Sequence, residues 1–327
     1  MGGNSAVLRN TRLVIVIAIA AIGCPAVAQD YPTGTIRIIN PFAAGGTAAV
    51  QAQALSNYLS PILGQPVIVE NKSGAGTTIA GAFVARAAPN GYTLLIAGPP
   101  TYSINPTLIP NVPYDGYKAF TQIAVVSRST NGIAVNAKSG ITSIEDLVAK
   151  AKANPNSVTF GTPGVGSVSH LAMIRFMEMA GIKMTHVPYS GAPPVVTDLL
   201  GKHIDLGVIN LGPLVPGKKS GDLRILATTS IGRSSQTPDV PTLDELGYSG
   251  FVIEAWNSIS GPAGMPDAVV TKLSGLIDQA LADPRVITAF TGAGLEIKYM
   301  PHAEAESFVK KDSETYIRLI ESSGIKK

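Results

Sequence analysis

A run of apolar residues that ends in a glycine-rich turn and then opens into a helical pattern occurs twice in this chain. In the first copy, the strand-like run Ile36–Asn40 leads into the turn at residues 41–47. In the second, residues 158–160 lead into the turn at residues 161–167. N–H groups in the first turn of a helix have no intrahelical acceptor and lie at the positive end of the helix dipole, so each copy predicts a site for a carboxylate or phosphate. Two such sites predict two lobes around one ligand.

The length of the chain and its alternating strand and helix signals point the same way. A chain of 327 residues exceeds what one core usually fills, which favours two α/β lobes over one large domain. Charged residues make up only 14% of the chain and apolar residues 45%. This balance excludes a disordered chain and a protein that coats nucleic acid.

Residues 1–28 have the three parts of a secretory signal peptide in order. Arg9 and Arg12 precede a continuous apolar run at residues 13–22, and small residues follow up to Ala28, after which cleavage is expected. The run is shorter than the roughly 20 residues that span a bilayer. Two alternatives stay open, namely an uncleaved anchor and lipoprotein processing at Cys24, whose preceding residues lack the usual leucine.

Cleavage there changes both the charge and the cysteine content. Arg9 and Arg12 carry two positive charges, so the formal net charge falls from +3 to +1. A nearly neutral surface gives no electrostatic reason to expect nucleic acid or an anionic membrane as a partner. Cys24 is the only cysteine, so the mature chain is expected to have no disulfide, thiolate metal site or cysteine nucleophile.

The first part of the chain alternates predicted strands with predicted helices. Strands are predicted at residues 35–40, 66–70 and 92–97, with helices at 48–63 and 79–88 between them. This order predicts a parallel sheet with right-handed crossovers, in which a ligand lies beyond the carboxyl ends of the strands. The glycine-rich turns fall at that edge.

The remainder predicts a second lobe and a return to the first. Strands at 121–126 and 132–135 are predicted to cross between the lobes, and Ser143 is predicted to cap a helix that ends near Pro155. Further strands are predicted at 158–160, 184–187, 204–209, 223–228 and 251–259, and further helices at 169–180, 193–200, 268–281, 284–293 and 303–322. The predicted lobes are residues 29–128 with 252–327, and residues 129–251. Each lobe is predicted to be a mainly parallel sheet flanked by helices, and crossing hinge strands join the two.

Seven segments in the same order carry a resemblance to a known family. They are YP (31–32) with IRII (36–39), PFAAGG (41–46), VENKSGAG (69–76), PNGYTLL (89–95), INP (104–106), GVGS (164–167) with HLA (170–172), and PYSG (188–191) with TDLLG (197–201). The chain resembles the extracytoplasmic solute receptors of tripartite tricarboxylate transporters, the Bug family. The resemblance implies a two-lobed periplasmic binding protein of type II-like fold that closes on a small organic acid and passes it to membrane transporter subunits.

The chain also departs from that family. Many members have an aspartate and an arginine where this chain has Ala49 and Gln53, just inside the first helix. Loss of both charges favours a less polar or aromatic acid over a ligand with an ammonium group. The alternative is that the two family residues form only a surface pair.

The predicted ligand-binding residues lie in the turns after the strands. They are Phe42, Ala44, Gly45, Gly46, Thr47, Thr77, Thr78, Tyr102, Thr162, Gly164, Gly166, Ser167, His170, Tyr189 and Asn210. In the first turn, backbone N–H groups and the Thr47 hydroxyl are expected around one carboxylate, whereas the alternative is an ordinary turn in which glycine relieves strain. Thr77 and Thr78 are expected to supply hydroxyl donors or, alternatively, to cap a helix.

Several of these positions have a second interpretation. His170 lies about one helical turn beyond Ser167 and either faces the ligand or is buried against backbone. Tyr102 either stacks on a flat ligand or packs at the hinge, and the same choice applies to Trp256, the only tryptophan. Asp198 is expected to hold the loop that contains Tyr189, because a carboxylate next to a carboxylate ligand repels it.

Enzyme motifs are missing from the sequence. There is no Gly-x-Ser-x-Gly elbow, His-Glu-x-x-His pair, phosphate-binding Gly-Lys-Ser/Thr loop or complete dinucleotide fingerprint. We therefore predict a monomeric receptor without catalytic residues, metal or cofactor, located in the periplasm. A sensor that signals to a membrane partner is the alternative, and an exported hydrolase that uses Ser167 and His170 is a weaker one.

Overall fold

A computed structural model of the chain describes residues 1–2, 31–42 and 44–325. Met1–Tyr31 form one unit and Pro32–Lys327 another. The predicted signal peptide, including its two arginines, its apolar run and Cys24, lies outside the described residues except for Met1 and Gly2.

The described part of the second unit contains two β-sheets, and the first has six strands. Its strands are β1 (Ile36–Asn40), β2 (Val67–Asn71), β3 (Thr93–Ala97), β4 (Phe120–Ser129), β10 (Ala255–Pro262) and β11 (Glu296–Pro301). The order across this sheet is β11-β4-β10-β3-β1-β2. The second sheet contains β5 (Asn131–Asn136), β6 (Thr159–Thr162), β7 (Thr185–Pro188), β8 (Leu206–Asn210) and β9 (Leu223–Thr228). Its order is β7-β6-β8-β5-β9.

Both sheets are mixed, so the prediction of mainly parallel sheets is wrong in this detail. In the first sheet β1 is parallel to β2 and β3, but β10 is antiparallel to β3 and β4, and β11 is antiparallel to β4. In the second, β6 is parallel to β7 and β8, and β5 is antiparallel to β8 and β9. The antiparallel pairs arise where the chain crosses between the sheets. β4 runs directly into β5 through Thr130. A strand that comes from the other sheet enters at the end opposite to the one where the parallel strands begin.

Helices flank both sheets, which confirms the predicted α/β class. They are α1 (Thr47–Leu63), α2 (Thr78–Ala85), α3 (Asn105–Leu108), α4 (Ile144–Ala153), α5 (Val168–Ala180), α6 (Ala192–Leu200), α7 (Val215–Ser220), α8 (Asp267–Leu281), α9 (Pro284–Gly292) and α10 (His302–Ser323). A π-helical turn, Pro100–Ile104, precedes α3. Among the described residues, no helix has both the length and the apolar character needed to cross a membrane.

Local sequence signals account for several of these boundaries. The Ser143 side chain accepts a hydrogen bond from the Asp146 N–H and begins α4, as predicted. The last crossing strand begins at Ala255 and not at the predicted residue 251, and β11 and the π-helical turn were not predicted. These differences fall where pairing with distant strands sets the conformation.

The core has a cluster on each sheet, and one cluster draws on both parts of the chain. Ile39, Leu95 and Val125 are buried in the first sheet's cluster. Ile104 and Leu108 lie between β3 and β4 of the first sheet in sequence, yet they belong to the same buried cluster as Phe160 of the second sheet. Residues of α10 join that cluster as well. The two sheets are therefore linked by packing as well as by the crossing strands.

Candidate functional site

A small cavity lies where the ends of both sheets meet. Its volume is about 140 Å³. It is lined by Phe42, Thr47, Ala48, Gly98, Pro99, Pro100, Ser127, Ser129, Val168, Asn210, Ala255, Trp256, Asn257 and Leu295. We call it the cleft cavity. Since Ser129 ends β4 and Asn210 ends β8, it contacts both sheets at strand ends, where open α/β sheets bind ligands.

The first residues of two long helices line this cavity. Thr47 is the first residue of α1 and Val168 is the first residue of α5. Neither helix has an acidic residue in its first turn. The positive ends of two helix dipoles are therefore directed at one small space, and this is the electrostatic environment that an anion requires.

The two helix ends differ in how they are capped. No described side chain caps α1, whose N-cap is Gly46 in an extended conformation. At α5 the Ser167 hydroxyl accepts a hydrogen bond from the His170 N–H, so one of its four orphan donors is already satisfied. The first turn of α1 is accordingly the better supplied with free backbone donors.

Polar side chains on the cavity wall add further donors. Within the described chain, the side chains of Thr47, Ser129, Asn210 and Asn257 make no hydrogen bond to the protein. Ser127 differs because its hydroxyl donates to the Oε1 atom of the buried Gln51 at 2.8 Å. A hydroxyl or amide that faces a cavity without a protein partner is available to a ligand or to water.

Among the described residues that line the cleft cavity, none has a charged side chain. An anion in this cavity would therefore be balanced by helix ends, hydroxyls and amides, and not by an arginine or lysine from its lining. Such neutral donors are effective in a small space with little water because the local dielectric constant is low.

Trp256 forms one wall and is held from behind. Its side chain is buried, and its indole N–H donates to the Asp312 carboxylate at 2.7 Å. Burial of the carboxyl group raises the pKa of Asp312 to about 7. The Trp256 ring also stacks on the ring of Tyr102, with centroids 5.7 Å apart and an angle of 11°. The tryptophan thus belongs both to the buried core of the first sheet and to the cavity wall.

Tyr102 is a correction to the predicted ligand contacts. It is fully buried, and its hydroxyl bonds to the hydroxyls of Ser258 and Ser260 at 3.0 and 2.9 Å. Burial raises its pKa to about 12. The π-helical turn directs this side chain into the core, so its ring supports Trp256 and does not line the cleft cavity.

The second glycine turn is built around a pair of histidines. The His170 Nδ1 atom accepts a hydrogen bond from the Gly166 N–H at 3.1 Å, and the Thr162 hydroxyl lies 2.8 Å from the His186 Nε2 atom. Burial lowers the pKa of both imidazoles to about 4, with a further contribution at His170 from His186. Thr162 and His170 are buried and do not line the cleft cavity, so the structure favours the buried interpretation of His170.

Other predicted residues also have internal roles. The Thr77 hydroxyl accepts from Thr101 at 2.9 Å, and the Thr78 hydroxyl donates to the Ala75 carbonyl at 2.8 Å. Neither side chain caps α2, so the helix-cap alternative is wrong. The Tyr189 hydroxyl donates to Asp198 at 2.6 Å, which confirms that Asp198 holds this loop.

The glycines of both turns have distinct surroundings. Gly45 has φ +84° and lies in an exposed turn with Ala44, next to Gly46. Gly166 has φ +72°, and a Cβ there would lie 2.5 Å from Leu108. Gly164 has φ +148° and lies against the Tyr189 backbone. Of the predicted site residues, the structure brings Phe42, Thr47 and Asn210 together on the cavity wall.

Gln53 does not lie at the cavity, so the ligand preference inferred from it has no structural basis. Its amide donates to the Asn57 Oδ1 atom at 2.8 Å, and it lines a surface groove between α1 and α9. Ala49 does not line the cleft cavity either. The residues that sequence reasoning missed are Ser127, Ser129 and Asn257. Ser127 and Ser129 are two residues apart at the end of a crossing strand, and this spacing, which places both side chains on one face, could have indicated them.

The chain is similar to a known family of receptors and to a protein of Bordetella pertussis. A model of the family described as the tripartite tricarboxylate transporter family receptor matches residues 51–325. The Bordetella pertussis protein BugT is 32% identical over 321 residues, covering 97% of this chain and 98% of BugT.

Solved structures with the same fold include both empty and ligand-bound proteins. A TctC solute-binding protein from Polaromonas without ligand has a TM-score of 0.82 and 26% identity, covering 89% of this chain and 99% of that one. A protein of R. palustris with adipate has a TM-score of 0.74 and 28% identity, covering 91% and 99% of the two chains. MatC from Rhodopseudomonas palustris with bound malate has a TM-score of 0.70 and 26% identity, covering 89% and 100%.

Proposed function

Because the chain belongs to the tripartite tricarboxylate transporter receptor family, we propose that it binds a small organic carboxylate in the cleft cavity and delivers it to the membrane subunits of such a transporter. Members of this family are solute-binding receptors and not enzymes. The ligand site and the delivery step are our proposals for this chain.

One observation carries the proposal. The first residues of α1 and α5 line the same cavity, together with four polar side chains that make no hydrogen bond within the described protein. Each helix end supplies backbone N–H donors and a positive partial charge. Two such ends, one from each side of the cavity, suit a mono- or dicarboxylate that bridges the two sheets.

The size of the cavity narrows the class of ligand. Pockets for drug-sized ligands range from about 300 to 1,000 Å³, whereas the cleft cavity has about 140 Å³. A short acyclic acid therefore suits it better than an aromatic dicarboxylate. Related structures bound to adipate and to malate support this class.

We propose a periplasmic location, reached by cleavage of residues 1–28 after Ala28. The resemblance of this segment to a secretory signal supports the proposal. N-terminal sequencing of the protein recovered from the periplasm tests it: a mature chain that begins at Gln29 is expected. A lipid-modified N-terminus at Cys24 would show that the protein is anchored instead.

Ligand binding is tested with adipate and malate as probes. Thermal unfolding of the purified protein is measured with each acid and with the neutral diamide of each, and acids that raise the unfolding temperature are then titrated by calorimetry. We expect at least one acid to stabilise the protein and its diamide to have no effect, because the helix ends favour the charged group. The proposal fails if neither acid stabilises the protein while a neutral sugar does.

Two pairs of variants locate the site. Asn210→Ala and Ser129→Ala remove donors on the cavity wall, and each is expected to weaken binding about tenfold. Asn57→Ala on the exposed face of α1 and Ser307→Ala on α10 remove the same chemical groups away from the cavity. Equal losses in both pairs would place the ligand elsewhere.

A further inference from the structure

A second, larger concavity lies along α2, on the outer part of the first sheet. Its volume is about 800 Å³. It is lined by Arg37, Thr78, Ile79, Ala82, Phe83, Arg86, Ala87, Ala88, Asn90, Tyr92, Thr93 and Pro113. Of these residues only Thr78 is among the predicted ligand-binding residues, and none lines the cleft cavity. We call this surface the α2 groove.

The floor of the α2 groove is an incompletely covered sheet face. Arg37 of β1 is in register with Ile68 of β2 and with Thr93 of β3, so these three side chains project on the same face. Ile68 is 42% exposed. β2 is the outermost strand of its sheet and borders this face. The sheet therefore presents an open face and a free edge at the same place, and such edges bind extended chain segments.

The wall of the groove is apolar and projects from α2. Ile79 is 50% exposed and Phe83 is 36% exposed. Both residues line the groove, and because they lie four residues apart on α2 they form one apolar strip along its wall. Scattered apolar residues are common on protein surfaces, but a contiguous strip that lines a groove is typical of an interaction site.

The charges around this strip are mainly positive. Arg37 and Arg86 are the only charged residues among those that line the groove. Lys72 lies beside it, with its ammonium 4.3 Å from the centre of the Phe83 ring. Glu70 is the local counter-charge, but it lies 3.7 Å from both Arg37 and Lys72 and is shared between them. Two half-exposed cations that share one carboxylate leave a net positive surface.

We propose that the α2 groove docks an extended, acidic segment of a partner protein, in which Asp or Glu residues alternate with large apolar ones. The acidic residues contact Arg37 and Arg86, and the apolar ones pack on Ile79 and Phe83. A concave groove fits a chain segment better than a flat bilayer surface. The identity of the partner rests on the proposed function: it is a periplasm-facing segment of the membrane transporter. A segment docked in the α2 groove leaves the cleft cavity open, because the two surfaces share no lining residue.

The docking chemistry is tested first with a defined probe. The probe is a fluorescein-labelled peptide of about twelve residues, half Asp and Glu and half Leu and Phe, in alternation. The comparison peptide replaces every acidic residue with Lys. Fluorescence anisotropy is measured with the full mature protein at low and high salt. We expect the acidic peptide to bind, the basic one not to bind, and binding to weaken as salt screens the charges.

Matched variants locate the binding surface. Arg37→Gln with Arg86→Gln neutralises the groove, and Lys152→Gln with Lys219→Gln removes the same charge from exposed positions on α4 and α7. We expect about a tenfold loss of peptide affinity in the first pair and less than a twofold change in the second. Phe83→Ser tests the apolar strip and is also expected to weaken binding.

A failure of the docking proposal can be distinguished from a failure of the proposed function. Carboxylate binding by calorimetry is measured on the same variants and is expected to be unchanged, while uptake of the bound acid by cells that carry only the Arg37→Gln and Arg86→Gln variant falls. The docking proposal is overturned if the acidic peptide does not bind, if both variant pairs bind it equally, or if anionic phosphatidylglycerol vesicles bind the groove while the peptide does not. If the wild type binds the acidic peptide but binds no carboxylate, only the proposed function is refuted.

Discussion

The imidazole rings of His170 and His186 are stacked beneath the second glycine turn, with centroids 3.7 Å apart and an angle of 14° between them. His170 accepts the Gly166 N–H, so its Nδ1 atom carries no proton. Two cations at this separation repel each other, and burial adds to the cost of charging either ring. The turn therefore depends on neutral histidines.

We predict that the protein loses stability as the pH falls from about 6.5 towards 4. In the folded state the pKa of both rings is lowered to about 4, whereas the unfolded chain has the ordinary value near 6.5. Between these values the unfolded state binds protons that the folded state does not, so the free energy of unfolding decreases with falling pH. Urea denaturation at a series of pH values measures this.

The variant His170→Gln with His186→Gln removes both titrating rings. We expect its stability to vary less with pH over the same range than that of the wild type. His203→Gln is the control, because His203 is 72% exposed and pairs with Asp198 at the surface. An unchanged pH dependence in the double variant would mean that other groups cause the acid sensitivity.

The fluorescence of Trp256 is predicted to report the ionisation of Asp312. This is the only tryptophan in the chain, and its indole N–H donates to a carboxyl whose pKa is raised by burial to about 7. Intrinsic fluorescence is therefore expected to change with a midpoint near pH 7 in the wild type and to be flat in Asp312→Asn. Glu314→Gln, on the same helix, is the control and is expected to titrate like the wild type.

The sign of the stability effect at Asp312 is opposite to that of the histidines. Its folded pKa lies above the ordinary value of 3.8, so between about 4 and 7 the folded state binds the extra proton and this site favours folding as the pH falls. At alkaline pH we expect Asp312→Asn to be as stable as the wild type or more stable. A large loss of stability there would show that the charged form is needed.

Arg128 is predicted to be the key cation of the region where the chain passes between the sheets. Its guanidinium lies 3.0 Å from Glu296 and 4.0 Å from Glu254, and all three side chains are at most 23% exposed. The Glu254 carboxylate also accepts the Ile231 N–H, and Glu296 accepts the Ser234 hydroxyl. We expect Arg128→Met to lower the free energy of unfolding by about 2–3 kcal/mol, because two largely buried carboxylates lose their counter-charge.

The control for Arg128 is Arg285→Met. Arg285 pairs with Asp283 but is 81% exposed, so its loss is expected to change the free energy of unfolding much less than the loss of Arg128 does. Adding Glu296→Gln to Arg128→Met is expected to recover part of the loss. If the double variant is as unstable as the sum of the single ones, the three side chains do not act as a cluster.

The extent to which the sequence predicted this structure follows from how local each signal is. Ser143 was predicted as a cap and is one, because a cap depends on residues within one turn. The position of β10 depends on pairing with β3 and β4, which lie far away in the chain, and its predicted start was four residues early. β11 is half-buried along its length and has no strong alternation, so its sequence gave little sign of a strand.

The same distinction applies to the candidate site. From the glycine turns we could predict where α1 and α5 begin, and the first residues of these two helices do line one cavity. Side-chain direction was not predictable, because a π-helical turn without a sequence signature directs Tyr102 into the core. Likewise, the ring of His170 on α5 is held by its stacking partner His186, which lies on β7.

Tyr102→Phe is predicted to affect stability and not binding. The change removes a hydroxyl that bonds to two serine hydroxyls in the core, and about 1–2 kcal/mol of unfolding free energy is expected to be lost. The affinity for any carboxylate that stabilises the wild type is expected to change less than twofold. Tyr58→Phe, at a side chain that makes no hydrogen bond within the described protein, serves as the control. A large loss of affinity in Tyr102→Phe would return this residue to the site.

Gly98 is predicted to be required for the shape of the cleft cavity. A Cβ at this position would lie 2.0 Å from the backbone carbonyl oxygen of Trp256, which cannot move without displacing β10. We therefore expect Gly98→Ala to lower the free energy of unfolding by about 3 kcal/mol and to weaken carboxylate binding, since overpacking forces the backbone apart. Gly275→Ala on α8 is the matched change, because a Cβ there meets no atom within 4 Å. Alanine is the better helix former, so this control is expected to gain up to about 1 kcal/mol. Urea denaturation measures the stability of both variants, and calorimetry measures their affinity for the acid. If the contact with Trp256 is as close as the structure shows, the free energy of unfolding falls in Gly98→Ala and rises in Gly275→Ala. Similar small changes in both variants would contradict the prediction.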